Sequence, residues 1–111
     1  MNENQAIAAL SALSHETRLQ IVRHLIKAGV DGDTAGSIGV AVNAAPSKMT
    51  FHISALERAG LVSSERVSRQ IIYRVSFEQL GSMLKYLMQD CCNYNLNVME
   101  SCGVTTIDKC C

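Results

Sequence analysis

The stretch TAGSIGVAVNAAPSKMTFHISALERAG, residues 34–60, decides the fold. A short helix fits residues 34–42, although each glycine inside it costs about 1 kcal/mol relative to alanine. Residues 43–45 form a tight turn, and Pro46 suits the first position of a second helix, which Gly60 ends. The apolar side chains that anchor the two helices are Ile38, Val42, Met49, Ile53 and Leu56. Two helices joined by a three-residue turn predict a helix-turn-helix.

Two further helices are predicted before this stretch. In residues 3–13, Ile7, Leu10 and Leu13 recur at near-helical spacing. Ser14 is the candidate cap of the next helix, which Gly29 ends. The apolar stripe of that second helix comprises Leu19, Val22, Leu25 and Ile26. The loop that follows, residues 31–33, offers Asp33 as a candidate cap for the next helix.

After Gly60 the apolar period changes from 3.6 to 2. Residues 61–67 and 70–76 therefore predict a β-hairpin that turns around Ser68 and Arg69. Ser76 and Gln79 have capping-box spacing and open a last long helix. Its stripe of Leu80, Leu84, Leu87 and Cys91 is too apolar for a lone surface helix, so we expect a partner to bury it. The fold class is mainly α with a small β-hairpin (α+β), in the order of a winged helix-turn-helix.

The composition fits one globular domain with a local basic surface. The 111 residues have a formal net charge of zero. Between His15 and Lys85, nine Lys or Arg face six Asp or Glu, a local excess of three. No apolar run reaches the roughly 20 residues of a membrane span, and the N-terminus lacks the pattern of a signal peptide. We expect a cytoplasmic protein that makes no membrane contact.

The second helix of the motif carries the candidate contacts to DNA. In a winged helix-turn-helix this helix enters the major groove, while the hairpin touches the backbone or minor groove. His52 is ambiguous, because it can equally pack against the hairpin. Arg74, lower on a strand, is predicted to be solvated or ion-paired. The candidate DNA-binding residues are Ser47, Lys48, Thr50, Phe51, His52 and Ser54 on the helix, with Arg66 and Arg69 at the hairpin tip.

All five cysteines lie in the last 21 residues. A disulfide-stapled domain would spread its bridges through the fold, so the clustering indicates metal or redox chemistry. Thiolates without nearby histidines favour a soft, thiophilic centre over calcium, magnesium or manganese. An enzyme is not expected, since the neutral bases His15, His24 and His52 are all remote from the cysteines in sequence.

Three blocks of the chain together resemble the ArsR/SmtB family of metal-responsive repressors. They are LSHETRLQIVRHL, APSKMTFHISALERAGLV and RVSRQIIYRV, and the resemblance covers roughly residues 5–92. It implies a homodimer, paired through its first and last helices, that binds a near-palindromic double-stranded DNA operator and leaves it when metal binds. The chain departs from the family's founding metal motif, because residues 34–42 hold no Cys-x-Cys pair. The last helix also lacks the histidine of the zinc-sensing members.

The tail resembles that of arsenic-responsive members, which carry a Cys-Cys pair at the end of the last helix and a third cysteine beyond it. The resemblance implies that Cys91, Cys92 and Cys102 bind As(III) or Sb(III) as inducer. Cys110 and Cys111 are less favoured ligands. The organisation expected is a DNA-binding and dimerisation domain over 1–92 and a tail over 93–111 that completes the metalloid site.

Two alternatives use the same cysteines. With Cys110 or Cys111 as the fourth ligand, the three cysteines would form a zinc site of four sulfurs, and a cadmium- or lead-responsive repressor would use the same cysteines. A thiol-redox repressor would instead oxidise Cys91 and Cys92, although a disulfide between adjacent cysteines is strained.

Overall fold

The computed structural model describes residues 1–90 and 93–94, with side chains through Met88. The five cysteines lie outside the described residues. The helices are α1 Glu3–Leu13, α2 Glu16–Ala28, α3 Ala35–Val42, α4 Pro46–Arg58 and α5 Phe77–Met88, with a 3-10 turn at Gly29–Asp31. The strands are β1 Asp33–Thr34, β2 Val62–Val67, β3 Gln70–Val75, β4 Gln89–Asp90 and β5 Asn93–Tyr94. The predicted order of a winged helix-turn-helix is confirmed.

Local hydrogen bonds set where the helices begin. Asn2 and Gln5 form a capping box at the start of α1. The prediction that Ser14 caps α2 is wrong, because His15 takes that position and its ring Nδ1 accepts the Thr17 N–H at 3.2 Å. The expected capping role of Asp33 falls instead to Thr34, whose hydroxyl accepts the Ser37 N–H.

The remaining helix boundaries follow the sequence closely. Pro46 occupies the first turn of α4, and Gly60, just after the helix, has a φ of +80°. The Ser76 hydroxyl accepts the Gln79 N–H at 3.1 Å and so caps α5, as predicted. The expectation that α5 continues through Cys91 is wrong, since the helix ends at Met88 and Gln89–Asp90 pairs antiparallel with Asn93–Tyr94.

The hairpin belongs to a three-stranded antiparallel sheet of order β1-β3-β2. Its turn is Ser68-Arg69, as predicted, with Ser68 at a φ of +59°. The sequence did not reveal β1, whose two residues pair with Tyr73 and Ile72 across β3. A strand this short has no period to detect.

Asp33 fastens β1 to α2. Its carboxylate accepts a hydrogen bond from His24 Nε2 at 2.7 Å and another from the Thr34 N–H at 2.8 Å. Burial acts to raise the pKa of Asp33, but the hydrogen bonds from His24, Ser37 and Thr34 outweigh it and hold that pKa below its usual value. This corner of the sheet is therefore tied directly to the helical layer.

The core lies between the helices and the inner face of the sheet. Helix α1 contributes small side chains, Ala6, Ala9 and Ala12, so its apolar residues Ile7 and Leu10 are exposed. Of the apolar stripe predicted on α2, Val22 and Leu25 are buried, whereas Leu19 and Ile26 are exposed. The larger core side chains are Ile21, Val22, Leu25, Ile38, Met49, Ile53, Leu56, Leu61, Val62, Val75 and Met83.

Helix α5 leaves much of its apolar stripe uncovered. Met83 is buried and Leu80 packs against the core, whereas Leu84 and Leu87 remain 53% and 55% exposed. Within the described residues, no helix is long and apolar enough to cross a membrane.

Candidate nucleic-acid interface

The helix-turn-helix is held together by close contacts of α3 with the turn and with α4. Asn43 ends α3 in the left-handed conformation, with a φ of +56°, and its N–H bonds back to the Gly39 and Val40 carbonyls. A Cβ added to Gly39 would lie 3.1 Å from the Ala44 carbonyl oxygen and 3.3 Å from Met49 Cγ. Glycine at this position lets the turn close tightly. The exposed side of the two helices forms an open groove of about 870 Å³.

The outward face of α4 carries most of the predicted DNA contacts. At 100° per residue, Ser47, Phe51, Ser54 and Arg58 fall in one line, opposite the buried side chains of the helix. Ser47 and Phe51 are exposed and Ser54 is partly buried. Lys48 and Thr50, both exposed, flank this line. The helix therefore presents hydroxyls, two cations and one aromatic ring to solvent.

Thr50 is already engaged by the backbone. Its hydroxyl donates to the Pro46 carbonyl at 3.2 Å. In this arrangement the Thr50 oxygen offers only its lone pairs outward, which suits a donor such as the exocyclic amine of cytosine or adenine.

His52 is not on the outward face. Its ring is buried, with 6% exposed. Its ring contacts the start of α2. The His15 ring centroid lies 4.5 Å away, and Arg18 Nε donates to His52 Nδ1 at 3.2 Å. His52 thus fastens α4 to the start of α2.

The surroundings of His52 keep it neutral. Burial lowers the pKa of His52, and the neighbouring cations Arg18 and Lys48 lower it further. A neutral ring is also what the Arg18 hydrogen bond requires, since Nδ1 must be unprotonated to accept it.

Besides its hydrogen bond to His52, Arg18 makes a second contact with α4. Its guanidinium carbon lies 5.4 Å from the centroid of the Phe51 ring, within cation–π range. The sequence alone did not single out Arg18 or His15 for this interface. The sequence places both residues at the start of α2, but it does not show that α2 packs against α4, and this packing brings them beside α4.

The β2–β3 hairpin, residues 62–75, is the wing of the fold, and it displays the two arginines expected at its tip. Arg66 and Arg69 are exposed, and among residues 1–88 neither forms an ion pair. Arg74 is ion-paired, as predicted, with its guanidinium 2.8 Å from Glu65 Oε1 and a hydrogen bond of 2.7 Å to the Val30 carbonyl. The Ser64 hydroxyl donates to Glu57 Oε2 at 3.3 Å and links the wing to α4.

The predicted metalloid ligands Cys91, Cys92 and Cys102, with Cys110 and Cys111, all lie outside the described residues. Within the part of the chain that the structure describes, no three His, Cys, Asp or Glu side chains are grouped to hold a metal ion.

Comparison with known proteins agrees with this architecture. Residues 13–65 match the family model of a helix-turn-helix domain. The HTH-type transcriptional regulator YgaV of Escherichia coli is 30% identical over 88 residues, covering 79% of this chain and 87% of YgaV. The transcriptional activator HlyU of Vibrio cholerae is 26% identical over 94 residues, covering 85% and 84% of the two chains. An ArsR-like regulator from Rhodococcus superposes with a TM-score of 0.68 at 30% identity over 76% of each chain.

The buried state of His52 predicts how stability depends on pH. Because its pKa is lower in the folded chain than the ordinary value of about 6.5, the unfolded chain binds the proton first as pH falls. The stabilisation is present above pH 6.5 and is lost progressively below it, toward the lowered folded pKa. In His52→Asn, which keeps an acceptor near Nδ1, we expect a smaller fall in the free energy of unfolding between pH 7.5 and 5.5. Urea denaturation at a series of pH values measures it, and identical slopes in the two proteins would contradict the assignment.

Proposed function

The chain belongs to the ArsR-like family of winged helix-turn-helix transcriptional regulators, and we propose that it is a dimeric repressor released from its operator by trivalent arsenic or antimony. The observation that carries the DNA-binding part is the outward face of α4. It has no apolar side chain except Phe51 and is flanked by the cations Lys48 and Arg18. Such a face suits base edges and phosphates in the major groove.

The wing supplies the second set of contacts. Arg66 lies on β2 and Arg69 in the two-residue turn of a hairpin that is paired from Val62 to Val75, so the sheet holds the backbone that carries them. Contacts of this kind neutralise phosphates and set the orientation of the protein on DNA without reading sequence.

Dimerisation follows from two exposed apolar faces. Ile7 and Leu10 on α1, and Leu84 and Leu87 on α5, are uncovered in the single chain. The two helices contact each other in the fold, so their exposed side chains can belong to one surface. We propose that a second copy buries this surface; to read two half-sites, the recognition helices (α4 of each protomer) must then lie about 34 Å apart, one turn of DNA.

The inducer site is proposed from the chemistry of the tail. Cys91, Cys92 and Cys102 supply three sulfurs, the donor set that suits a soft trivalent centre. The chain leaves α5 at Met88, immediately after the exposed Leu84 and Leu87. A ligand bound there would act on the surface that sets the spacing of the recognition helices. A coupling of about 1–3 kcal/mol between the two sites is enough for a useful switch.

The wing arginines predict a specific salt dependence. Each phosphate contact contributes about 0.9 to the slope of log K against log salt, so Arg69→Ala in a dimer should reduce that slope by about two. Fluorescence anisotropy on one duplex between 50 and 300 mM salt measures it.

Lys27→Ala is the matched control, because Lys27 lies at the opposite end of α2 from Arg18 and should leave the slope unchanged. Equal slopes for Arg69→Ala and the parent protein would show that Arg69 of the wing does not contact a phosphate.

The third cysteine predicts a separation of DNA binding from induction. Cys102→Ser should bind the operator as tightly as the parent protein, yet remain bound at arsenite concentrations that release the parent. Cys110→Ser is the matched control and should be released normally.

A gel-shift titration with arsenite, antimonite, zinc and peroxide makes this measurement. Normal release of Cys102→Ser by arsenite would show that the third ligand is misassigned. Release of the parent protein by peroxide or zinc alone would favour the redox or zinc alternative. Activation rather than repression of a reporter, the role that HlyU's name gives that relative, would contradict the repressor part of the proposal.

A further inference from the structure

Phe51 is an exposed aromatic residue in the middle of a polar face. Its side chain is 61% exposed, and it is absent from the core cluster. Along the line of outward residues it follows Ser47 by one helical turn and precedes Ser54 by another. Neither folding nor the apolar surface of α1 and α5 accounts for a large ring at this position.

The ring is held in place by its neighbours. The Arg18 guanidinium carbon lies 5.4 Å from its centroid, and the His52 ring packs edge to face with it at a centroid separation of 5.5 Å. Arg18 is fixed in turn by its hydrogen bond to the buried His52. Phe51 is therefore oriented before any ligand arrives, which lowers the conformational entropy that binding must offset.

The chemistry of the ring limits what it can recognise. A phenyl group has no hydrogen-bond donor or acceptor, so it cannot read the amino and carbonyl groups on base edges. The apolar group in the major groove is the C5-methyl of thymine, and contact with phenylalanine is one of its established modes of recognition.

We propose that Phe51 is a specificity-determining residue that reads a thymine methyl in each half-site of the operator. The inference rests on the proposed entry of α4 into the major groove. Ser47, Lys48 and Thr50 would then satisfy polar groups around this methyl, while Arg18 holds the ring and approaches the adjacent phosphate.

Replacing thymine with deoxyuridine tests the proposal, because it removes the methyl and leaves the base pairing intact. Duplexes that bind are first selected from a random pool, and each thymine is then replaced in turn. For the parent protein, one thymine in each half-site should raise the Kd about fourfold when replaced, the effect of losing one buried methyl.

Variants of the protein test whether Phe51 is the residue that responds to the methyl group. Phe51→Ala should bind the thymine and deoxyuridine duplexes equally at that position, and Phe51→Leu should keep part of the preference. Lys48→Ala is the matched control, with weaker binding overall but an unchanged response to the methyl. Thermal unfolding confirms that each variant is folded, and the deoxyuridine series on the parent protein does not depend on any variant.

The outcomes separate the inference from the proposed function. If the parent protein binds selected duplexes but responds to no thymine replacement, or if Phe51→Ala responds as the parent does, the role of Phe51 is overturned while DNA binding stands. If no duplex is selected from the pool, the proposed function fails and this inference fails with it.

Discussion

The packing of α4 against α2 determines which side chains α4 exposes to solvent. Met49, Ile53 and Leu56 occupy one side of α4, and their burial with Ile21 and Leu25 fixes the rotation of the helix. Since successive residues on a helix are 100° apart, burial of that side leaves Ser47, Thr50 and Phe51 outward. Gly39 allows α3 to approach closely enough to complete the motif. The functional surface is thus a consequence of the core.

The contact between α2 and α4 also has a polar component at its edge. Arg18 donates to the buried His52 and covers Phe51, so one side chain of α2 connects the core side of α4 to its exposed side. The arrangement depends on a neutral His52, which burial and the neighbouring positive charges favour by lowering its pKa. Since Arg18 is held against α4, which also carries Lys48, a chain of zero formal net charge displays a locally cationic face.

The sequence predicted the elements whose signals are local and strong. Pro46, Gly60 and the Ser76–Gln79 pair mark boundaries that the structure confirms, because caps act within one turn of a helix. The sequence did not predict which side chains face the core where this depends on packing between helices. The inner face of α1 is alanine because α2 and α4 lie close to it, so Ile7 and Leu10 turn outward.

Packing between helices also explains why the sequence did not reveal two features of the candidate interface. Ser47, Lys48 and Phe51 could be placed on the outward face from periodicity alone, whereas Arg18 and the burial of His52 depend on contacts 34 residues apart. The two-residue strand β1 and the capping ring of His15 have no characteristic pattern in the sequence. The cysteine site remains a prediction from the sequence and its family resemblance.

Dimethyl sulfate footprinting on a selected duplex tests most directly whether α4 reads the major groove from a dimer. Guanine N7 is methylated in the major groove and adenine N3 in the minor groove, so the reagent distinguishes the two. A dimer of this fold should protect guanine N7 in two tracts about 10 base pairs apart. Protection of adenine N3 alone, or of a single tract, would contradict the proposed binding mode.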